Sequence, residues 1–154
     1  VGRAYTLPYN TYDKEELFTV LMHLCEKVGR ELRRKKLSGK TLVYYFRYSD
    51  FTHGGFRLTL PGYIDDNLRL FEIGCAKLQN FHLEKAVRLV GVHVSNLIKD
   101  YRQQTLFNPD KKQTDLLPFL DKINDRYGEL TVKPAYLLKL KRLRHKVGGF
   151  KLQD

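Results

Sequence analysis

Residues 1 to 99 divide into segments with helical spacing of apolar positions and segments in which apolar and polar positions alternate. A first helix is predicted to begin near Asp13, with Glu16 completing a capping box, and to end at Ser38-Gly39. A second helix is predicted from about Asp65 to Phe81. The buried stripe of the first helix is expected to contain Leu17, Leu21, Leu24, Val28 and Leu32.

Strand patterns flank both helices, so the order strand, helix, strand occurs twice. Thr6-Leu7-Pro8 and Thr59-Leu60-Pro61 close the first strand of each half, and residues 42–50 and 87–96 form the second strands. The turn-forming residues 50–55 can join the halves as an antiparallel hairpin. The pattern predicts an α+β fold, a four-stranded βαββαβ sheet with both helices on one face and the other face open.

Side chains alternate across a strand, so each strand contributes one set of residues to each face of the sheet. The more apolar set of the second strand is assigned to the helices, because that face must be buried. The residues expected to contact the helices from this strand are Leu42, Tyr44, Phe46 and Tyr48.

The open face is predicted to be small, polar and basic. Gly2, Ala4 and Gly91 are expected to let an approaching nucleic-acid backbone come close, and Tyr45 is the one good candidate for stacking on a base. The expected DNA-binding residues of this face are Arg47 and Arg57, which would contact phosphates, and Thr6, Thr59, His93 and Ser95, which would support them. An ordinary solvated sheet is the alternative.

The charge of the chain favours an anionic partner. Its 28 Lys and Arg residues outnumber its 17 Asp and Glu residues, for a net charge of +11. Clustered cations gain affinity for nucleic acids by releasing counterions from phosphates. A membrane surface is the rival partner, but the basic helices lack a broad exposed apolar face, so no membrane contact is expected. Without a signal peptide or membrane span, the protein is expected to be soluble and cytoplasmic.

Catalytic and metal-binding patterns are missing from the sequence. No nucleotide-binding, nucleophile-elbow or zinc-protease motif occurs, and the five histidines lack the spacing of metal ligands. Asp65-Asp66 favours a helix cap over a metal pair. The cations between Arg30 and Lys40 are interpreted as a solvated helix end, with phosphate contact as the alternative. No catalytic residue, metal site or redox cysteine pair is predicted.

The character of the sequence changes after Asn96. Residues 100–110 are predicted to form a linker whose Leu106-Phe107 either packs back on the domain or docks into a partner's apolar pocket. Residues 111–154 are predicted to be a basic tail, mainly helical or flexible, with a helix over Leu116 to Tyr127 that stops at Gly128. Because the chain begins with Val1 in an apparent strand, it is interpreted as part of a longer protein.

Several of these segments together resemble the C-terminal part of a Y-family (DinB/UmuC-type) translesion DNA polymerase. They are Gly2-Arg3 with Thr6-Leu7-Pro8, the strand from Leu42 to Tyr48 with Ser49-Asp50-Phe51, the run from Val87 to Val92 with Ser95-Asn96-Leu97, and Gln103 to Phe107.

The resemblance implies that residues 1–99 are a little-finger domain, whose sheet grips the DNA backbone beside the primer-template without reading sequence. It also implies that Gln103, Leu106 and Phe107 bind the bacterial sliding clamp, although Gln104 and Thr105 depart from the family's pentapeptide. Polymerase chemistry and its Mg²⁺ are expected in a palm domain outside this sequence, so no catalysis and no cofactor are expected here. The implied setting is DNA-damage repair at the nucleoid.

Two other functions stay open from the sequence. One is an RNA-binding module of ferredoxin-like topology, which a preference for single-stranded RNA would indicate. The other is a protein-interaction domain that docks through Leu106-Phe107, which a failure to bind nucleic acid at low salt would indicate.

Overall fold

The computed structural model describes residues 1–101 and 111–139, so the predicted clamp-binding residues Gln103, Leu106 and Phe107 lie outside the described residues. Among the described residues no helix is long and apolar enough to cross a membrane. The elements in chain order are β1 (Gly2–Thr11), α1 (Lys14–Arg34), β2 (Leu37–Tyr48), β3 (His53–Ile64), α2 (Asn67–Asn80), β4 (Val87–Lys99), α3 (Lys111–Tyr127) and a 3₁₀ turn (Ala135–Lys139).

The four strands form one antiparallel sheet in the order β1-β4-β2-β3. β2 and β3 are adjacent in the sheet and in the chain, which confirms the predicted hairpin. Tyr44 and Phe46 of β2 are at most 1% exposed and pack in one core with residues of α1 and α2. The predicted α+β fold, with both helices on one face, is therefore confirmed.

α1 begins where the sequence predicts, but the hydrogen bonds that cap its N-terminus differ from the predicted ones. The Asp13 carboxylate accepts a hydrogen bond from the Glu15 amide at 2.9 Å, and so caps the helix. The predicted capping box does not form, because the Asp13 amide donates instead to the Thr11 hydroxyl at 3.0 Å and Glu16 hydrogen-bonds Tyr9.

The predicted end of α1 at Ser38-Gly39 is wrong. The helix ends at Arg34, and Lys36 takes a positive φ of 55° that turns the chain directly into β2. Ser38 and Gly39 lie near the start of β2 and pair with residues of β4. A long flexible lysine can adopt this left-handed conformation at modest cost, so the turn needed no glycine.

α2 begins two residues later than predicted. The Asp66 carboxylate accepts hydrogen bonds from the Leu68 and Arg69 amides at 2.7 and 3.3 Å, which makes Asp66 the cap and leaves Asp65 outside the helix. This geometry supports the cap interpretation of the acidic pair. The buried face of α2 contains Leu70, Gly74 and Leu78, with Phe71 and Cys75 partly buried beside it.

Three ion pairs join α1 to the C-terminal segment, two of them from α3 and one from the turn that follows it. The Arg33 guanidinium forms two hydrogen bonds with the Asp121 carboxylate, at 2.6 and 2.9 Å. Arg30 pairs with Asp125 at 2.5 Å, and Lys27 pairs with Glu129 at 3.0 Å. The cations recur every three residues along α1, and the acids recur every four residues from α3, so the two segments run antiparallel with matched charges.

These ion pairs correct the interpretation of the basic cluster near the end of α1. Arg30 and Arg33 are not part of a solvated helix end, because acids of the C-terminal segment hold them. Lys35 pairs with Glu31 at 2.7 Å. Arg34 and Lys36 remain exposed, and within the described part of the chain neither forms an ion pair.

Candidate nucleic-acid interface

The face of the sheet opposite the helices carries all six predicted DNA-binding residues. Directly paired residues on neighbouring antiparallel strands point to the same face. The pairing places these residues in three rows across the sheet: Thr6, Leu89 and Arg47; His93, Val43 and Arg57; and Ser95, Thr41 and Thr59. Alternation along the strands therefore assigned them to the correct face, and the fold brings them together.

The charged Lys, Arg, Asp and Glu side chains of the four strands are all positive. None of the four strands contains an Asp or Glu residue, so no carboxylate of the sheet opposes a bound polyanion. The one strand cation with an acidic partner in the described structure is Arg3, which pairs with Glu31 of α1. The cations of the strands are Arg3, Lys40, Arg47, Arg57, Arg88 and Lys99.

Arg57 and Thr59 lie on the edge strand β3 with exposed side chains. The Thr59 hydroxyl lies 3.3 Å from the hydroxyl of Thr41 on β2, which orients it on the open face. Four residues of β2 separate the row of Arg57 from that of Arg47, or about 13 Å along the strands. The two arginines thus extend from well-separated positions of the sheet and are expected to contact separate phosphates.

At one end of the open face, an exposed aromatic ring lies between two arginines. Phe51 is 60% exposed, and the guanidinium carbons of Arg47 and Arg88 lie 5.6 and 5.5 Å from its ring centroid. The Nε atoms of both arginines are buried without a hydrogen-bond partner. Each guanidinium is therefore positioned by the ring rather than by an acid, and its terminal nitrogens are not neutralised.

Arg88 is a residue that sequence reasoning missed. Strict alternation along β4 places it with Val90 and Val92 on the helix face. The pairing shifts between Arg47 and Tyr48, so β4 contains an extra residue there and Arg88 reaches Phe51. A bulge leaves no reliable mark in a sequence, although a cation between the apolar residues Val87 and Leu89 was a signal that it could not face the core.

The turn that carries Phe51 is anchored on both sides. Phe51 has a positive φ of 68°, and its amide donates to the Tyr48 carbonyl at 3.0 Å. The Asp50 carboxylate accepts hydrogen bonds from the Thr52 hydroxyl at 2.7 Å and from Lys85. These two donors lower the pKa of Asp50 to about 2. The turn therefore holds Phe51 in a conformation that a bulky residue disfavours.

Replacing Asp50 by asparagine is expected to weaken duplex DNA binding by about threefold to tenfold without unfolding the domain. Asparagine cannot form the ion pair with Lys85, so the turn would relax and Phe51 would no longer hold Arg47 and Arg88. Fluorescence anisotropy with a labelled duplex measures the change. Glu72→Gln on α2 is the control, because it also removes an exposed ion-pair carboxylate. An equal loss in both variants would exclude the role of the turn.

Tyr45 occupies the centre of the open face. A Cβ atom on Gly91, the paired residue of β4, would overlap the Tyr45 ring, so the ring lies flat on this glycine. Burial raises the pKa of the Tyr45 hydroxyl. The expectation that Gly91 admits a nucleic-acid backbone is therefore wrong: the aromatic ring covers this position, and Ala4, the next residue across the sheet, is buried as well.

His93 lies between Gly2 and Val43 on the open face and is half-buried. Burial is the main cause that lowers its pKa below the ordinary value of 6.5, and the amino group of Val1 adds to the effect. At neutral pH the imidazole is accordingly uncharged. It can donate one hydrogen bond to a phosphate oxygen, and a phosphate nearby would favour its protonated form.

Groups of three or more potential metal ligands are not found among the His, Cys, Asp and Glu residues that the structure describes. Cys25 is buried and burial raises its pKa well above the ordinary value, while burial raises the pKa of Cys75 to about 12. Neither thiol is a ready nucleophile at neutral pH. The arginine guanidinium groups and threonine hydroxyls of the open face are of the types that bind anions.

Comparison with known proteins identifies relatives of this sequence. The family model described as the impB/mucB/samB family C-terminal domain matches residues 1–106. DNA polymerase IV of Desulfatibacillum aliphaticivorans is 33% identical over 144 residues, covering 90% of this chain and 36% of that protein. DNA polymerase IV of Moorella thermoacetica is 32% identical over 140 residues, covering 90% of this chain and 35% of that protein. The chain thus spans about a third of the length of these relatives.

Solved structures share the fold. The little finger domain of PolIV, in its complex with the beta-clamp processivity factor, matches with a TM-score of 0.53 and 20% identity, over 70% of this chain and 97% of that chain. An insertion ternary complex of Dbh DNA polymerase matches with a TM-score of 0.56 and 19% identity, over 64% of this chain and 28% of that chain.

Proposed function

This chain belongs to the family of the impB/mucB/samB C-terminal domain, and on that premise we propose that it binds the backbone of DNA for a lesion-bypass polymerase. The resemblance of the sequence to the C-terminal part of a Y-family polymerase is confirmed by the family model and the DNA polymerase IV relatives. The DNA primer-template is the proposed partner of the open sheet face, through Thr6, Arg47, Arg57, Thr59, His93 and Ser95.

The observation that carries this proposal is the charge of the sheet. Four strands with cations and no carboxylate, and with a face that no described element covers, favour a polyanion over any neutral ligand. One flat aromatic ring, that of Tyr45, lies at the centre of this face, whereas RNA-recognition sheets stack two or three bases on such rings. The face is therefore suited to contact phosphates without reading bases, and we add Arg88 and Phe51 to the proposed contact residues.

The proposal extends to tethering by the sliding clamp, through Gln103, Leu106 and Phe107. The support is the family, and the little finger domain of PolIV whose solved complex contains the beta-clamp. We assign catalysis and its Mg²⁺ to a palm domain elsewhere in the polymerase, so this part of the protein binds without catalysing. The proposed place of action is the nucleoid in the cytoplasm.

Clamp tethering predicts that Leu106→Ala/Phe107→Ala lowers affinity for a purified bacterial sliding clamp at least tenfold, because the pair would fill an apolar pocket of the clamp. Surface plasmon resonance on immobilised clamp measures the loss. Leu97→Ala/Ile98→Ala is the control, since these two apolar residues are exposed at the end of β4. Duplex DNA affinity should stay unchanged in both variants. Clamp binding unaffected by the first variant contradicts this assignment.

The main proposal is tested by binding of the whole chain to labelled duplexes of two unrelated sequences and to single-stranded RNA, over a series of salt concentrations. We expect equal affinities for the two duplexes, weaker binding to RNA, and a logarithmic affinity that falls linearly with the logarithm of salt. Tighter binding to the RNA would indicate an RNA-binding module. No binding to any nucleic acid at low salt would indicate a protein-interaction domain.

DNA contact at His93 predicts that duplex affinity rises as the pH falls through about 6.5. The free imidazole has a lowered pKa, and a bound phosphate would raise it, so the complex takes up a proton that the free protein lacks. As the pH falls, the duplex affinity should begin to rise near the pKa that His93 has in the complex. It should level off below the pKa that His93 has in the free protein. NMR titration of His93 with and without duplex measures both values.

His93→Gln is the control for this prediction, because glutamine can donate a hydrogen bond but cannot be protonated. His53 lies on the same face opposite Arg47, so the difference between the original chain and the variant, and not the whole pH dependence, reports on His93. An NMR pKa of His93 that is the same with and without DNA would show that no phosphate approaches it.

A further inference from the structure

α3 separates its charges between two sides. Its two acids within the range whose side chains are described, Asp121 and Asp125, face α1 and pair with Arg33 and Arg30. Lys122 and Arg126 are exposed on the other side and have no acidic partner among the described residues. Over the described side chains, 116–127, the outward side of α3 is therefore positive, although this range contains both signs.

A row of exposed apolar side chains runs along α3 beside these cations, on the side of the helix that faces away from α1. At spacings of three and four residues they lie along one line of the helix and cover about 16 Å, or three turns. Apolar positions of a surface helix normally face the core, yet only Leu117 of this helix's apolar side chains is fully buried. The members of this α3 stripe are Leu116, Phe119, Ile123 and Tyr127, which are 57%, 62%, 37% and 66% exposed.

The cations border the stripe and touch its rings. The Lys122 ammonium lies 5.7 Å from the ring centroid of Phe119, and the guanidinium carbon of Arg126 lies 5.4 Å from that of Tyr127. These contacts hold the aliphatic parts of both side chains against the apolar row. The exposed surface is thus an apolar line with positive charge along its edge.

We propose that the α3 stripe is a docking surface for an acidic amphipathic helix of a partner protein. Four apolar side chains in a line match the apolar face of a second helix, which would bury them by the packing found in two-helix interfaces. Lys122 and Arg126 select carboxylates at the flanks of that helix. Their selectivity comes from charge complementarity, because the two acids described on their own helix, Asp121 and Asp125, face α1 instead of this side.

Charge also argues against a second copy of this chain as the occupant. Each copy carries a net charge of +11, and a two-fold pairing of α3 stripes would bring Lys122 and Arg126 of the two copies near each other. Nucleic acid fits less well than a helix, because Leu116 and Ile123 offer no ring for a base. The two rings of the stripe lie eight residues apart, or about 12 Å, so successive bases could not stack on both.

The test uses the whole chain and a synthetic peptide of about three heptads, with Leu at positions a and d and Glu at e and g. A second peptide has the same composition in an order that scatters the leucines over all sides of the helix. We expect the first peptide to bind and the scattered peptide to bind at least tenfold more weakly. Isothermal titration calorimetry at moderate salt measures both affinities.

Two variants locate the binding surface. Phe119→Ser/Ile123→Ser should lower affinity for the first peptide at least tenfold, and Lys122→Glu/Arg126→Glu should lower it similarly while improving binding of a peptide with Lys at e and g. Tyr9→Ser/Tyr12→Ser is the matched control, since both tyrosines are 61% exposed on another surface. Circular dichroism verifies that each variant is folded, and the charge reversal keeps the test informative if the serine variant is not.

Equal binding of both peptides, or unchanged affinity in both stripe variants, would overturn the proposal. Dimers in sedimentation experiments that disappear in the serine variant would overturn it in favour of a second copy. A loss of single-stranded DNA binding confined to the stripe variants would overturn it in favour of a nucleic acid.

Discussion

Replacing Arg47 and Arg57 together by alanine is expected to lower the affinity for duplex DNA by roughly 100-fold. A charged hydrogen bond to phosphate contributes about 1.5 kcal/mol or more, so each arginine accounts for about tenfold. The slope of logarithmic affinity against logarithmic salt should fall by about two units, because two phosphates would keep their counterions. Both changes should be equal on all DNA sequences, since the contacts are to the backbone.

The control for charge alone is Arg69→Ala/Lys77→Ala. These residues are exposed on α2, on the helix side of the sheet, and their removal lowers the net charge by the same two units. We expect this control to lose less than about threefold, as long-range attraction is screened at physiological salt. Equal losses in the two variants would place the contact elsewhere, and a loss on one DNA sequence only would contradict backbone binding.

Gly91→Ala is expected to destabilise the domain by about 2–3 kcal/mol. The added Cβ would overlap the Tyr45 ring, which must then leave its place at the centre of the open face. Forcing a methyl group into a packed position of this kind typically costs about 1–3 kcal/mol. Urea unfolding followed by circular dichroism measures the change in the free energy of unfolding.

The sign of the effect should reverse when the ring is absent. All three atoms closest to a Cβ at position 91 belong to Tyr45, so Tyr45→Ala removes the overlap. In that background Gly91→Ala should be neutral or stabilising by up to about 1 kcal/mol, because glycine weakens a strand relative to alanine. A similar destabilisation in both backgrounds would show that the ring does not determine the need for glycine.

Local patterns predicted the elements well and their ends less well. The spacing of Leu17, Leu21 and Leu24 identified α1, because a buried helix face requires that period. The Asp13 cap was also predicted correctly. The capping box and the end at Ser38-Gly39 were not, since Thr11 competes for the Asp13 amide and Lys36 makes the turn without glycine. The ends of a helix depend on single hydrogen bonds and turns, which the spacing of apolar residues does not predict.

The residues of the candidate site were also predicted in part. Alternation placed Arg47, Arg57 and His93 on the open face, because a side chain next to the apolar set must point away from it. Arg88 was missed because one bulge interrupts that alternation in β4. The role of Gly91 was misjudged because its partner Tyr45 lies on a strand distant in the sequence.

The sequence by itself determined the βαββαβ order, the side of the sheet that is buried, and a sheet of cations without carboxylates. Those properties follow from periodicity and composition, which a single strand or helix already contains. The tertiary structure decided that acids of the C-terminal segment hold Lys27, Arg30 and Arg33, that Phe51 positions Arg47 and Arg88, and that Tyr45 covers Gly91. Each of these contacts depends on the strand register and on the packing of segments that are distant in the sequence. The local spacing of residue types does not predict such contacts.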